Sequence, residues 1–169
     1  MSRTSLENIR SLPDPLFTYN WDVFIPNLPG GGDTRAFTWK AVSTTIPARM
    51  LEPVNVSLGP AEIKYAGREN YSHSWQVTLH ETRDMGSRDA LLNWQLIARN
   101  NVANTGNYKD VYAPSMQLVL YDDIPQVVRT IVLHGVFPET VDEASLDRAS
   151  GAVQLGVTFS YDYFEDITG

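Results

Sequence analysis

Residues 153–163 alternate without interruption. Val153, Leu155, Val157, Phe159, Tyr161 and Tyr163 take the odd positions; Gln154, Gly156, Thr158, Ser160 and Asp162 take the even ones. A period of two sends successive side chains to opposite sides of an extended chain, so this stretch predicts a strand about 33 Å long with one apolar face and one small, polar face. Residues 71–79 repeat the pattern, with Tyr71, His73, Trp75, Val77 and Leu79 set against Ser72, Ser74, Gln76 and Thr78. Residues 17–25 do so again, with Phe17, Tyr19, Trp21, Val23 and Ile25 set against Thr18, Asn20 and Asp22.

Weaker signals fill the intervals. Residues 37–42 read as a strand, and residues 54–58 and 63–65 as short extended pieces joined by the Gly59-Pro60 turn. Met116, Leu118 and Leu120 mark another strand, and residues 127–137 one more, apolar on both faces around Ile131 to Leu133 and so expected to be covered twice. One helix stands out. Ser87 suits an N-cap, Asp89 complements the dipole, and Ala90, Leu91, Trp94, Ile97 and Ala98 follow helical spacing to about Asn100. Leu92 and Leu96 widen its apolar arc, which fits deep burial or a second face for another subunit. The glycine-rich segment 26–35 and residues 102–113 read as mobile loops, and the glycines lack the Lys-Ser/Thr and the helix that a phosphate cradle needs. The pattern predicts a mainly β protein: about six to eight strands in an antiparallel sandwich or barrel with one inserted α-helix. Residues 1–15, polar and carrying Pro13 and Pro15, read as an N-terminal arm on a single domain, 16–169.

Composition narrows the function. The 169 residues contain no cysteine, which excludes disulfides and thiolate metal sites. No apolar run is long enough to span a bilayer, and the N-terminus has no secretory h-region, so the Asn55 and Asn70 sequons are expected to stay unglycosylated. The net charge is −7, and residues 139–169 carry seven of the 20 acids but one of the 13 Lys and Arg residues. No basic stripe exists to grip nucleic acid.

The chemistry of catalysis is missing. There is no nucleophile elbow. His73 and His80 fall on opposite faces of their strand, and Asp84 stands where a zinc-protease helix would place its second histidine. Asp122-Asp123 and Asp142-Glu143 lie in turn-like segments rather than flanking a cleft. The expectation is a scaffold: no enzyme, no cofactor, no metal, no membrane insertion.

The order of several fragments carries a resemblance. FTYNWDVFI comes first, then IPAR, the Gly59-Pro60 turn, WQVTLHE and a helix centred on Trp94. LHGVFPETV, Leu146-Asp147 and VTFSYDYF close the series. Over roughly residues 17–164 this resembles the tail tube proteins of contractile-tailed bacteriophages, similar in fold to the type VI secretion tube protein. The most specific parts are residues 135–138 and 157–161 at their mutual spacing.

The resemblance implies a structural virion subunit that closes into hexameric rings. The rings stack into a hollow tube that conducts DNA into the host without sequence-specific binding. It implies as partners further copies of the chain, the tail sheath protein, the tape-measure protein, and baseplate and terminator proteins. Assembly takes place in the host cytoplasm. In such a ring the polar faces of the alternating strands become candidates for the lumen: Gln154, Thr158, Ser160, Asp162, Gln76, Thr78, Thr18 and Asn20. The arm and loops supply candidates for contacts between rings: Leu12, Pro13, Pro15, Gly30, Gly31, Gly32, Asn104 and Asn107. A tube initiator or terminator of the same fold is the alternative. A carbohydrate-binding sandwich would need an exposed aromatic platform, whereas these aromatics fall in core phase.

Overall fold

The computed structural model describes residues 10–12, 15–146, 148 and 151–168. Two four-stranded antiparallel sheets face each other across one core. The first has the order β1-β8-β9-β12, formed by Trp21–Phe24, Met116–Tyr121, Val127–His134 and Tyr163–Thr168. The second has the order β10-β11-β5-β2, formed by Phe137–Val141, Gln154–Ser160, Ser74–His80 and Ala41–Thr44. Neither sheet closes into a barrel within the described residues.

Most of the alternating positions predicted to be apolar fill this core; the strand expected over 17–25 starts only at Trp21, and Phe17, Tyr19, His73 and Tyr163 are exposed. Trp75, Val77, Leu79, Leu155, Val157 and Phe159 point inward from the second sheet, and Val23, Met116, Leu118, Ile131 and Leu133 from the first. Rings meet at Phe159, with Trp75 and Trp94 each 5.9 Å away and Phe37 edge-on at 6.4 Å. Both buried indoles keep a partner for the N–H, Trp75 donating to the Thr45 carbonyl at 2.7 Å and Trp94 to that of Tyr112 at 2.5 Å.

Several predicted elements are redrawn. Residues 37–42 do not form a strand. Thr34–Lys40 is a helix, α1, and β2 begins only at Ala41. Asp33 is its N-cap, its carboxylate accepting from the Arg35 N–H at 2.9 Å, and only Phe37 of the helix is buried. A helix therefore does open after the glycines. The two short extended pieces are the distal part of one long ribbon, β3 (Arg49–Leu58) and β4 (Ala61–Tyr71). The single strand expected over 127–137 breaks at Gly135, whose φ of 68° lets the chain leave β9 and enter β10 in the other sheet. The eleven-residue strand expected over 153–163 likewise stops at Ser160; the chain crosses at Tyr161-Asp162 and re-enters the first sheet as β12.

The central helix α2 runs from Gly86 to Ala98, close to the predicted span, but its N-cap is Met85 in the left-handed region, not Ser87. Its first-turn donors are met from elsewhere in the fold. The buried carboxylate of Glu81 accepts from the Ser87 N–H at 3.3 Å and the Arg88 N–H at 2.9 Å, with the Lys40 ammonium 3.7 Å away. Residues 102–113 are not a plain loop. They contain β7 (Thr105–Gly106), paired with β6 (Arg99–Asn100), and the short helix α3 (Lys109–Tyr112).

Candidate functional site

The outer face of the second sheet gathers the polar halves of two alternating strands. Because β5 and β11 pair antiparallel, Gly156 stands opposite Thr78, Thr158 opposite Gln76, and Ser160 opposite Ser74; Gln154 pairs with His80 at the end. The neighbouring strands extend the rows, Thr140 of β10 opposite Thr158 and Ser43 of β2 opposite Thr78. Hydroxyls and amides thus run across all four strands, and none of these residues is a lysine or arginine.

Five of the eight proposed lumen positions therefore share one face: Gln154, Thr158, Ser160, Gln76 and Thr78. The other three do not join them. Asp162 lies in the crossing itself, its N–H donating to the His134 carbonyl at 2.9 Å and its carboxylate held by the Lys109 ammonium at 2.5 and 2.6 Å. Thr18 and Asn20 precede β1, the edge of the first sheet. The Thr18 carbonyl accepts from the Trp21 indole at 2.9 Å, and the Asn20 amide donates to Asp123 at 3.1 Å. Ser43 and Thr140 were missed because neither lies in an alternating run long enough to read; only the register with β5 and β11 reveals them.

One carboxylate belongs to this face. A side chain at Gly156 would place its Cβ 2.3 Å from the Asp142 Oδ2, so the glycine leaves room for that carboxylate over the strand. The Asp142 N–H donates to the Gly156 carbonyl at 2.9 Å.

The sheet ends in two strands with one hydrogen-bonded neighbour each. Among the described residues β10 pairs only with β11, and β2 only with β5. On β10 the Pro138 and Glu139 carbonyls accept from the Gln95 amide, each at 3.2 Å; the N–H and C=O groups that an edge strand leaves unpaired are a template for another strand.

The ribbon β3–β4 stands apart, its strands packing substantially only against each other. Beyond an irregularity at Leu51/Pro53 it is amphipathic. Val54 faces Tyr65, Val56 faces Ile63 and Leu58 faces Ala61 on one side, while Asn55 faces Lys64 and Ser57 faces Glu62 on the other. At its base the Arg49 guanidinium lies 2.8 Å from Glu69, which also accepts from the Tyr71 hydroxyl at 2.5 Å. That hydrogen bond to a carboxylate, followed by desolvation, raises the Tyr71 pKa above the ordinary phenol value.

The proposed contact positions between rings are scattered. Leu12 and Pro15 are exposed, and Pro13 lies outside the described residues. Gly30 is not part of a free loop: a Cβ there would fall 1.9 Å from the Ala90 carbonyl oxygen of α2, so the loop is seated on the helix backbone. Gly31, at φ 79°, faces open space, and Gly32, at φ 112°, sits beside Leu28. Asn104 is exposed with φ 51°. Asn107 instead caps α2, donating to the Ile97 carbonyl at 2.7 Å. Among the described residues no three His, Asp or Glu side chains gather in a metal-binding group.

No protein-family model matches the chain. Two curated proteins do, the tail tube protein gp19 of Enterobacteria phage T4 (29% identity over 133 residues, 76% of this chain and 81% of that protein) and its counterpart in phage T6 at 28%. Among solved structures, a chain of the sheath–tube complex of the extracellular contractile injection system PVC, in the extended state, aligns over 99% of this chain and 100% of its own length, with a TM-score of 0.63 and 14% identity. A chain of the anti-feeding prophage cap, a tube-terminating cap, aligns over 94% and 95% with a TM-score of 0.69 and 15% identity. A chain of the six-fold symmetrised baseplate of the same particle aligns over 93% and 98% with a TM-score of 0.65 and 15% identity. The chain is a homologue of the phage tail tube protein gp19, and it shares its fold with chains of the PVC sheath–tube complex and of the cap and baseplate of the anti-feeding prophage.

Proposed function

We propose that this chain is the repeating subunit of a phage tail tube: copies join side by side into a ring, rings stack, and the outer face of the β10-β11-β5-β2 sheet lines the bore. The observation that carries the reading is the conjunction in one sheet of a polar face free of lysine and arginine and two edge strands on opposite sides. Joining the β2 edge of one copy to the β10 edge of the next is a head-to-tail contact, and such contacts close into rings when the rotation permits. With six copies, as in the baseplate of the similar particle, a four-stranded sheet per copy makes a barrel about 115 Å around at about 4.8 Å per strand, wider once the strands tilt. The apolar face of the sheet lies on the core, and the polar face is left to wet the channel.

The lining suits a charged polyanion in transit. Duplex DNA carries one negative charge per about 1.7 Å, and a Lys-rich wall would bind it by counterion release. Hydroxyls, amides and the Asp142 carboxylate hold water and repel weakly. Six copies at −7 each bring −42 to a ring. A sheath outside the tube, a tape-measure protein inside it before ejection, and terminator and baseplate proteins at its ends are the expected partners, with assembly in the host cytoplasm and residence in the virion tail. Residues 1–15 act as an arm on the single domain 16–169.

The second reading, a terminator or initiator, is favoured by the likeness to the tube-terminating cap. The sequence relationship to tube proteins, over three-quarters of the chain, favours the repeating subunit. Negative-stain electron microscopy of the purified chain separates them. Long hollow tubes support the proposal; single rings that never lengthen support the terminator; monomers at every concentration overturn both.

A further inference from the structure

We propose that Gln95 guards the β10 edge of the free subunit: its side-chain amide occupies the place of a strand beside Pro138 and Glu139, and the β2 of a neighbouring copy displaces it when a ring closes. The inference rests on the head-to-tail ring proposed above and names a contact that has to break for that ring to form.

Strand directions make the β10 edge open to two outcomes. β2 runs antiparallel to β5, β5 to β11, and β11 to β10. The β2 of one copy therefore meets the β10 of the next antiparallel, which continues the alternation around the ring. Two β10 edges brought together by a two-fold axis would be antiparallel as well, and that pairing stops at two copies. A bare β10 edge would accept the dead end as readily as the ring.

Natural edge strands are protected by shortness, prolines, bulges or a covering element. β2 is short, Ala41–Thr44, and carries neither proline nor charge. On β10 three devices coincide. Pro138 has no N–H to offer a partner. The ladder with β11 is irregular between Pro138 and Thr140. Of the strands of this sheet, α2 packs substantially only against β10, and its half-buried Gln95 donates to the Pro138 and Glu139 carbonyls, each at 3.2 Å. Strand carbonyls point along the sheet toward the next strand. A side-chain amide has two hydrogens and can take two of them. Both bonds lie at the long end of the N–H···O range, so backbone N–H groups at ordinary distance can replace them.

The register shows why the guard has to move. Thr44 pairs with Val77, Val77 with Val157, and Val157 with Val141. Without stagger, the β2 of the neighbour would lie beside Val141 and the residues after it. A closed barrel requires tilted, staggered strands. β10 ends at Val141, so the stagger that keeps β2 beside a strand runs toward Phe137, across the two carbonyls that Gln95 holds.

Two variants and one map test this. Gln95→Leu keeps a side chain of similar size and removes both donors, whereas Gln95→Arg keeps donors. The measurement is the subunit concentration at which tubes appear, followed by light scattering, with circular dichroism to establish that each variant is folded. Gln95→Leu is expected to assemble at a concentration at least about threefold below wild type, and Gln95→Arg to need the wild-type concentration or more. A folded Gln95→Leu subunit that needs as much as wild type, or a Gln95→Arg subunit that assembles as readily as Gln95→Leu, overturns the guard. A density map of wild-type tubes decides it without any variant. The expected map has Gln95 turned away and backbone N–H groups of the neighbour's β2 in its place. Gln95 still on both carbonyls, with that β2 beside β10, overturns the guard and leaves the ring reading standing. A map with β2 away from β10, or wild-type protein that never assembles, overturns the ring reading and the guard with it.

Discussion

Gln76 and Thr158 stand opposite each other on β5 and β11, and both turn away from the core. Each lies between apolar residues that are almost wholly buried, Trp75 and Val77 in one strand and Val157 and Phe159 in the other. The sandwich therefore fixes where these two polar side chains point, while their own chemistry is free to serve whatever lies in front of them.

That freedom predicts a clean separation of fold and function. Gln76→Lys changes an exposed side chain and is expected to shift unfolding free energy by no more than about 0.5 kcal/mol. In assembled tubes it adds a ring of positive charge. Mutant tubes are expected to retain duplex DNA, with affinity falling steeply as salt rises, whereas wild-type tubes do not. Filter retention across a salt series is the measurement, and equal retention by both proteins counts against a lumenal Gln76.

Gly30 makes the opposite prediction, structural rather than functional. Gly30→Ala drives a methyl group into the Ala90 carbonyl and is expected to cost about 1–3 kcal/mol, lowering Tm by several degrees. Gly151→Ala meets open space and is expected to be neutral. Thermal melts of the two variants give the contrast.

Glu81 serves the N-terminus of α2 from the end of β5. Glu81→Ala removes the acceptor of three backbone N–H groups, those of Thr82, Ser87 and Arg88, and the carboxylate beside Lys40, for an expected loss of about 2–3 kcal/mol. Glu81→Gln keeps an acceptor oxygen and is expected to lose less. Denaturant titration ranks the two, and equal losses would show that the hydrogen bonds to the helix contribute nothing.

At the ribbon base, pH is the lever. The Tyr71 pKa is raised, chiefly by its hydrogen bond to Glu69, so the folded state favours the neutral phenol. Its contribution is fully present below the ordinary tyrosine value of about 10 and is lost as pH rises through the higher folded value. Tyrosinate absorbance is expected to show two groups titrating late, Tyr71 and Tyr121, the second raised chiefly by desolvation, and Tyr71→Phe is expected to remove one of them. A titration curve unchanged by that substitution contradicts the assignment.

Deleting residues 1–15 tests the arm. The truncated chain is expected to melt like the full one, because among the described residues the core lies wholly beyond the deletion. It is expected to form tubes poorly. Long tubes from the truncated protein would remove the arm from the assembly scheme.

Much of this architecture is legible in the sequence, for a physical reason. Residues 75, 77 and 79, or 155, 157 and 159, must all be apolar to cover one core, and that requirement writes a period of two into the chain. The same reasoning overruns where a strand ends without a change of pattern. Tyr161 is still buried and Tyr163 still in phase, yet the chain has moved to the other sheet between them. In α1, Phe37 and Trp39 imitate alternation, although Phe37 is buried and Trp39 is exposed on a helix capped by Asp33. The candidate face was half legible. Each polar stripe could be read from its own strand, but that Thr158 meets Gln76 while Asp162 meets Lys109 depends on pairings between distant segments, which local periodicity does not carry.

The central claim is the direction of one sheet face. A cryo-electron microscopy map of the tube assembled from this chain decides it. The account predicts Gln76, Thr78, Gln154, Thr158 and Ser160 around the bore, with β2 of each copy beside β10 of the next. A map with these residues on the outer surface, or a channel coated by lysine and arginine, contradicts it.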